Sequence, residues 1–218
     1  MKIVAILPLR KNSKRIKNKN LIKVGKRRLY EHTLNQATKS KYLNKIYLAV
    51  EDKKFFKVKN KKKVEYFIRS KKSASPKAKT EIVINEVLKR VECDYVVLIQ
   101  ATNLFLKTED LDNAISKMIN NKRFDSLLST VNTKFFLWEI NKSIFCFPKN
   151  YNLNKRPRSQ DIKNKQLIEN GSFYIFKKKG FLKNNNRLFG NITFYTMEKV
   201  SLFEIDEKED LALVKKFF

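Results

Sequence analysis

The amino-acid sequence predicts a single α/β domain in which helices cover both faces of a mostly parallel central sheet. First, short apolar runs such as residues 3–7 and 95–99 are typical of strands that are buried on both faces. Second, segments with apolar side chains at helical spacing separate these runs, as in consecutive β-α-β units. Third, a chain of 218 residues with 42% hydrophobic content is large enough to bury a sizeable core.

Each expected element follows from its local pattern. The apolar residues of 28–39 recur at a spacing that suits a helix packed on the sheet. Thr108 is a good helix N-cap, and the acidic residues after it favour the helix dipole. The expected strands cover residues 2–7, 45–50, 64–69, 95–99, 125–131, 172–176, 192–197 and 201–206. The expected helices cover residues 28–39, 51–63, 81–91, 108–120 and 207–217.

Residues 132–168 interrupt this alternation with a crowd of aromatic side chains that lacks helical periodicity. So many rings do not suit a simple exposed loop. We expect an insertion with short strands that buries its rings against a partner subunit. The alternative is that the segment folds back on the core of its own chain. The large apolar residues concerned are Phe135, Phe136, Leu137, Trp138, Phe145, Phe147 and Tyr151.

The formal net charge of +28 allows two interpretations. A polyanionic partner such as nucleic acid would account for it. However, Lys, Asn, Ile and Phe are abundant together along the whole chain, and no aromatic-basic alternation typical of RNA-binding strands occurs. We therefore favour compositional drift, expect no nucleic-acid partner, and assign the charge at most a role in steering anionic substrates.

The sequence also predicts the cellular location of the protein. No apolar run approaches the roughly 18 residues of a membrane span, and the start of the chain lacks the pattern of a signal peptide. The two cysteines, Cys93 and Cys146, have no metal-ligand spacing and suit a reducing cytoplasm. The single histidine, His32, lies in an expected helix, which argues against a His-based triad. We thus expect a cytoplasmic protein without a membrane partner.

The basic segment 7–20 reads LPLRKNSKRIKNKN and directly follows the first expected strand. A basic loop at the carboxyl end of the first strand of an open α/β sheet is where phosphate ligands bind. Its cations could hold a triphosphate, with backbone N–H groups as further donors. Neither a Walker P-loop nor the G-x-G-x-x-G of dinucleotide folds is present, and the alternative is an ordinary solvated loop. The residues concerned are Arg10, Asn12, Ser13, Lys14 and Lys19.

Two carboxylates, Glu204 and Asp206, flank Ile205 at the end of an expected strand. Residues i and i+2 of a strand point to one face, where two carboxylates repel each other unless a cation joins them. Such hard oxygen ligands favour Mg²⁺, which completes its shell with water and a nucleotide. The alternative is an ordinary acidic helix start with Asp206 as the cap. Gln100 and Asn103 could read a base or a sugar through paired donors and acceptors.

Taken in order, these motifs resemble those of the CMP-nonulosonate synthetases, also called acylneuraminate cytidylyltransferases, over nearly the whole chain. Residues 9–20 are similar to the family's nucleotide loop, A-R-x-x-S-K-x-x-x-x-K-N, and IQATN at 99–103 is similar to its L-Q-P-T-S. Each motif is weak by itself, but six in the family's order and spacing make a specific match. The other four are TEDLD at 108–112, RSQD at 158–161, ENGSFYIF at 169–176 and FEID at 203–206.

The resemblance implies a Rossmann-like nucleotidyltransferase fold and a homodimer whose inserted segment 132–168 reaches the neighbouring active site. It implies transfer of CMP from CTP to the anomeric hydroxyl of a nine-carbon keto-acid sugar, such as sialic, legionaminic or pseudaminic acid, with release of pyrophosphate. By matching position, it implies catalytic roles for Arg10, Lys14, Lys19 and Asp206. It also implies nucleotide contacts for Arg10, Asn12, Ser13, Lys14, Asn20, Arg69 and Thr80, sugar contacts for Gln100, Thr102, Asn103 and Arg158, and Mg²⁺ ligation by Glu204 and Asp206.

The chain departs from the family pattern at several places. Lys11 and Asn12 stand where many members have Gly-Gly, and Glu204 stands where the family has Asp. Leu106 replaces an arginine and Pro76 replaces a usual Asp. These departures leave three alternatives open: another sugar such as 3-deoxy-manno-octulosonate, lower activity, or an inactive structural descendant.

Overall fold

The computed structural model describes residues 1–10, 15–58, 62–141, 144–162 and 166–218. Strands β1 to β11 are Ile3–Pro8, Lys23–Val24, Arg27–Arg28, Lys45–Val50, Val64–Ile68, Tyr95–Ile99, Ser126–Thr133, Trp138–Ile140, Cys146–Pro148, Gln166–Lys177 and Ile192–Met197. Helices α1 to α6 are Leu29–Lys39, Lys71–Ala74, Thr80–Leu88, Thr108–Asn120, Lys178–Asn184 and Lys208–Val214. None of the helices in these residues is long and apolar enough to cross a lipid bilayer.

Seven strands form the central sheet in the order β11-β7-β10-β6-β1-β4-β5. Strand β10 runs antiparallel to its neighbours β6 and β7, and every other neighbouring pair in this sheet is parallel. The prediction of a mostly parallel sheet is therefore confirmed. The chain runs from β1 outward through β4 and β5 and then returns to β6 on the other side of β1. This reversal creates a topological switch beside β1, and ligands bind at the carboxyl ends of the strands at such a point.

The side chains of β1 show why this sheet is apolar on both faces. Ile3, Ala5 and Leu7 belong to a buried cluster that includes residues of α1 and α4. Val4 and Ile6 point the other way, into a second buried cluster with residues of α3 and α5. A strand in the middle of the sheet therefore needs a continuous apolar run rather than polar alternation, as the sequence predicts.

The expected strand at 201–206 is wrong. Lys199–Leu202 form a 3-10 helix instead, and the residues after it form a loop that leads to α6. Ser201 closes the turn by donating from Oγ to the carbonyl of Glu198 at 2.6 Å. The side chain of Asn103 donates to the carbonyl of Ser201 at 2.7 Å. Local and long-range hydrogen bonds of a buried serine thus replace the strand pairing that the apolar pattern favours.

Two helical expectations also change. Of the expected helix at 51–63, only a 3-10 turn at Lys53–Phe55 occurs in the described part of the chain, and residues 59–61 lie outside it. The N-cap of α4 is Lys107 rather than Thr108. The hydroxyl of Thr108 instead donates to a side chain of α1 at 2.7 Å. The tertiary contact between the two helices therefore uses the group that the local pattern assigns to capping.

Strands β8 and β9 of the inserted segment pair with each other in a separate antiparallel hairpin. This confirms the expected short strands. Its large apolar side chains are exposed, with Phe145 at 69% and Ile144 at 90%, so these residues do not fold back on the core of their own chain. Ring contacts in the segment join Tyr151 to Phe136 and Trp138. Burial of the exposed rings against a partner subunit stays a prediction.

Candidate active site

The carboxyl ends of β1, β5 and β6 open into a cavity of about 540 Å³. This is the edge of the sheet at which the switch beside β1 predicts ligand binding. The first turn of α3 and the loop before α6 complete the wall. The cavity brings together nine of the site residues that the sequence predicts, namely Arg10, Lys19, Asn20, Arg69, Thr80, Gln100, Thr102, Glu204 and Asp206.

Arg10 is held at the end of β1 by backbone carbonyls of the segment before α3. Its Nη2 atom donates to the carbonyl of Ala78 at 2.7 Å, and its Nη1 atom donates to the carbonyl of Pro76 at 3.3 Å. The side chain of Asn20 donates to the carbonyl of Arg10 at 2.9 Å. The two contacts of the guanidinium orient it without neutralising it, because its partners among the described residues are carbonyls rather than carboxylates.

Arg69 follows β5 and is a buried cation, with only 6% of its surface exposed. Its Nη2 atom donates to the carbonyl of Ser73, while its Nε and Nη1 atoms are buried without a hydrogen-bond partner in the part of the chain that the structure describes. Burial, together with the nearby charge of Arg10, lowers the pKa of Arg69 to about 10. Buried polar groups without partners are rare and costly, so these two donors indicate a position that an anion can complete.

Asp206 is the centre of the ion pairs in the cavity. Nζ of Lys19, which is only 12% exposed, donates to Oδ1 of Asp206 at 2.8 Å and to the carbonyl of Ile205 at 2.7 Å. Nη2 of Arg15 donates to Oδ2 at 2.8 Å. Burial pushes the pKa of Asp206 upward, but the hydrogen bond and charge of Lys19 and the charge of Arg15 outweigh it, so this pKa lies below its ordinary value. Asp206 does not cap α6, whose N-cap is Glu207.

Glu204 behaves differently from Asp206, two residues away. Its Oε1 atom is buried and accepts no hydrogen bond from any described residue. Burial, together with the negative charge of Asp206, raises the pKa of Glu204 to about 7. Gly171 lies against this carboxylate with a φ of +61°, and a Cβ atom there would overlap Oε1. The glycine therefore leaves room for the carboxylate in a backbone conformation that other residues avoid.

These two carboxylates suit a divalent cation with hard oxygen ligands. The buried Oε1 atom of Glu204 has no hydrogen-bond partner among the described residues, and Asp206 lies beside it in the same cavity. The described residues contain no group of three or more His, Cys, Asp or Glu that could hold a metal ion. Mg²⁺ commonly takes one or two carboxylates and completes its shell with water and substrate phosphates, so a two-carboxylate site fits it.

The residues expected at the sugar end are placed differently from one another. Gln100 and Thr102 line the cavity, and the N–H of Ile205 donates to the carbonyl of Thr102 at 3.1 Å, which ties the acidic loop to this turn. Asn103 is fully buried, and its Nδ2 atom donates to a backbone carbonyl of the 3-10 helix before the acidic loop. Arg158 lies on the inserted segment, is mostly exposed and pairs with a neighbouring aspartate at 2.6 Å. Neither Asn103 nor Arg158 lines the cavity within this chain.

Some residues of the site lie outside the described part of the chain or outside the sequence prediction. Asn12, Ser13 and Lys14, which were expected at the nucleotide, are not among the described residues. Arg15, Gly171 and Tyr174 also line the cavity, although neither residue type nor motif predicts a role for them. Arg15 could have been found as a further cation of the basic loop, and Gly171 from the Asn-Gly pair before a strand. No local signal marks Tyr174, because its apolar neighbours make it look like a core residue.

An open, mostly parallel sheet with cations and a carboxylate pair at its carboxyl edge defines an α/β protein with a site suited to an anionic ligand. Residues 4–217 match the cytidylyltransferase family model. The chain therefore belongs to the cytidylyltransferase family. This confirms the resemblance that the ordered motifs predict.

Similar proteins cover nearly the whole chain at low identity. The pseudaminic acid cytidylyltransferase of Campylobacter jejuni is 25% identical over 226 residues, which cover 99% of this chain and 95% of that protein. Post-translational flagellin modification protein B of Campylobacter coli is 27% identical over 228 residues, which cover 98% and 93%. The N-acylneuraminate cytidylyltransferase of Escherichia coli is 23% identical over 220 residues, which cover 97% of this chain and 51% of that protein.

Solved structures share the fold. The 4-diphosphocytidyl-2C-methyl-D-erythritol synthase of Anaerococcus prevotii has a TM-score of 0.70 and 16% identity, covering 99% of this chain and 95% of that chain. A CMP:2-keto-3-deoxy-manno-octonic acid synthetase complexed with CTP has a TM-score of 0.69 and 13% identity, covering 100% and 98%. Identities this low show the fold alone, and they confirm the Rossmann-like nucleotidyltransferase architecture.

Proposed function

We propose that this chain is a CMP-nonulosonate synthetase, which transfers CMP from CTP to a nine-carbon keto-acid sugar such as pseudaminic, legionaminic or sialic acid. The observation that carries the proposal is one cavity in which four cations, two of them without an ion pair among the described residues, face a pair of carboxylates. Membership of the cytidylyltransferase family supports the nucleotide part. The names of the Campylobacter and Escherichia coli relatives support the sugar class.

The triphosphate of CTP is the ligand that this proposal assigns to the cations. Arg10 and Arg69 line the same cavity, and the nearby charge of Arg10 helps to lower the pKa of Arg69. A guanidinium presents several N–H donors in a fixed plane, which matches phosphate oxygens. Asn20 orients Arg10 through its carbonyl, so in this proposal Asn20 acts as a positioning residue.

In the proposal Glu204 and Asp206 hold Mg²⁺. When bound, the ion would neutralise the phosphates and the charge that develops on the leaving pyrophosphate. Lys19 stabilises the site by hydrogen bonds to Asp206 and to the carbonyl of Ile205. Gly171 keeps the space that the Glu204 carboxylate occupies.

The proposed reaction is an in-line displacement at phosphorus. The anomeric hydroxyl oxygen of the sugar forms a bond to the α-phosphorus, and the bond from this phosphorus to the oxygen bridging the β-phosphorus breaks. Pyrophosphate leaves with the electron pair, and the hydroxyl proton passes to solvent. The residues of the cavity act by positioning and charge neutralisation. His32, the single histidine, contacts the Val24 carbonyl at 3.0 Å and does not line the cavity, so it does not serve as the base.

In the proposal the sugar end is built from Gln100 and Thr102, and a second subunit completes it. The exposed apolar hairpin β8–β9 supports a homodimer, because exposed apolar surface of this kind is typical of subunit interfaces. Arg158 would then reach the sugar of the neighbouring subunit. The free thiols of Cys93 and Cys146 support a cytoplasmic location.

The experiment that tests this function measures pyrophosphate release and CMP-sugar formation by the purified protein with Mg²⁺. The panel combines CTP, ATP, GTP and UTP with pseudaminic, legionaminic, N-acetylneuraminic and 3-deoxy-manno-octulosonic acids. We expect turnover with CTP and at least one nine-carbon acid, and a loss of about 100-fold or more in Asp206→Ala. Turnover of the eight-carbon acid alone would reassign the substrate. No turnover, combined with tight and steeply salt-dependent nucleic-acid binding, would favour the alternative of a nucleic-acid-binding protein.

A further inference from the structure

Arg15 forms an ion pair with Asp206, a carboxylate that a metal ion in the cavity would need as a ligand. Its Nη2 atom lies 2.8 Å from Oδ2 of Asp206, and its Nη1 atom lies 3.9 Å from Oε1 of Glu207. Lys19 takes the other oxygen, Oδ1, at 2.8 Å. Both oxygens of Asp206 are thus paired with cations, while the neighbouring Glu204 has an oxygen that accepts no hydrogen bond from the described residues.

The two cations on Asp206 are not equivalent. Lys19 is nearly buried and also donates to the carbonyl of Ile205, so a second hydrogen bond holds its ammonium group in place. The side chain of Arg15 is 57% exposed, and its other ion pair is longer. An exposed ion pair is weak because water and salt screen it, so Arg15 is the cation that can leave at low cost.

We propose that Arg15 is an exchangeable counterion, which neutralises Asp206 in the ligand-free protein and moves to the phosphates when a divalent cation takes this carboxylate. The inference rests on the proposed function for the identity of the phosphate ligand. Arg15 lines the same cavity as Arg10 and Arg69, so a freed guanidinium would face the same anion. In this exchange the negative charge of Asp206 is neutralised both in the ligand-free protein and in the metal-bound protein. Binding of the metal is thereby coupled to binding of the phosphates.

This role predicts effects of opposite sign on two ligands. Arg15→Gln removes a competitor of the metal, so we expect Mn²⁺ alone to bind about three- to tenfold tighter, as measured by electron paramagnetic resonance of free Mn²⁺. The same variant lacks a cation for the phosphates, so we expect inorganic tripolyphosphate to bind the Mn²⁺-loaded protein about three- to tenfold more weakly in calorimetry.

Lys17→Gln is the matched control, because it removes one charge from the same exposed stretch. Lys17 is exposed and makes no ion pair within the described residues. We expect it to change both affinities by less than about twofold. Arg15→Lys should lie between wild type and Arg15→Gln, because it keeps the charge and loses the planar fork.

Three results would overturn the exchange. Unchanged Mn²⁺ affinity with weaker tripolyphosphate binding would make Arg15 a plain phosphate ligand. Equal effects of Arg15→Gln and Lys17→Gln would reduce the role to general charge. Weaker binding of both ligands would mean that Arg15 builds the metal site rather than competing for it. Because neither probe contains a base or a sugar, these measurements stand even if the wild-type protein transfers no CMP.

Discussion

The Nζ atom of Lys19 lies 2.8 Å from Oδ1 of Asp206, although 187 positions separate the two residues in the chain. This contact joins the segment that follows β1 to the loop that precedes α6. It brings the cationic and acidic halves of the cavity together, which is the arrangement that the proposed chemistry requires.

Removal of this contact should lower both stability and activity. Lys19→Met leaves the carbonyl of Ile205 without its donor and Asp206 with Arg15 as its remaining cation. We expect the free energy of unfolding to fall by about 1–3 kcal/mol in urea denaturation. The kcat for CMP transfer should fall as well. Lys19→Arg keeps the charge and should recover most of the stability, and an unchanged unfolding midpoint in Lys19→Met would contradict a supporting role for the pair.

Replacement of Arg69 should separate stability from ligand binding. Two donors of the buried guanidinium have no hydrogen-bond partner among the residues that the structure describes, so its burial costs free energy in the ligand-free protein. We expect Arg69→Met to unfold with an unchanged free energy or one that is higher by up to about 2 kcal/mol. Its affinity for CTP should fall about 10- to 100-fold, since hydrogen bonds to charged groups are lost.

The control for Arg69 is Arg90→Met, which removes the same charge from an exposed position beside the ring of Phe67. Its CTP affinity should stay within about twofold of wild type, because exposed charges are screened. If Arg69→Met were strongly destabilised while its CTP affinity was preserved, Arg69 would be a structural cation and not part of a phosphate site.

Gly171 should not tolerate a side chain. Gly171→Ala meets two obstacles, the φ of +61° and the overlap of its Cβ with Oε1 of Glu204. We expect a loss of about 1–3 kcal/mol in the free energy of unfolding. Divalent-metal affinity should also weaken, because the displaced carboxylate is a proposed ligand. The neighbouring Ser172→Ala is the control and should be nearly neutral, since the buried hydroxyl of Ser172 has no hydrogen-bond partner within the described ranges.

The raised pKa of Glu204 predicts a pH dependence of stability in the metal-free protein. Burial raises this pKa from an ordinary 4.5 to about 7. Between these two pH values the unfolded chain releases the proton and the folded chain retains it, so folding loses stability as pH rises. Relative to Glu204→Gln, which does not titrate, we expect wild type to lose about 2 kcal/mol across this range. Chemical denaturation in a chelating buffer measures the difference, and parallel curves for the two proteins would refute the shift.

The exposed hairpin should control the oligomeric state. We expect Phe145→Ser combined with Phe147→Ser to shift the protein from dimer to monomer in size-exclusion chromatography with light scattering, because exposed apolar side chains of the hairpin would lose their partner surface. Ile192→Ser changes another exposed apolar residue, on the edge strand β11, and should leave the mass unchanged. A wild-type protein that is already monomeric at micromolar concentration would contradict the proposed homodimer.

The success of the fold prediction rests on particular patterns. The apolar runs of β1 and β6 could be read directly, because a strand buried on both faces has no alternative environment. The strand expected at 201–206 failed because Ser201 forms hydrogen bonds with Glu198 and Asn103. No local sequence pattern predicts the hydrogen bond from Asn103, because Asn103 lies 98 positions away from Ser201 in the chain.

The candidate site shows the same division. Residue type and order predict Arg10, Lys19, Glu204 and Asp206 as site residues, because cations suit phosphates and carboxylates suit Mg²⁺, and the four side chains line one cavity. Asn103 was expected at the sugar, yet its side chain is buried beneath the acidic loop. An amide has the same donors and acceptors in both settings, so residue type alone could not separate them.

By itself the sequence determined the class of fold, the family and the kinds of side chain available for the chemistry. Hydrophobic periodicity and the order of motifs can both be read along the chain without knowing which residues meet in space. Only the tertiary structure decided which of these side chains meet. It left Arg69 and Glu204 buried without full partners and gave Arg15 to Asp206. The physical reason is that pairing, burial and pKa depend on distances between residues far apart in the chain, and those distances exist only after folding.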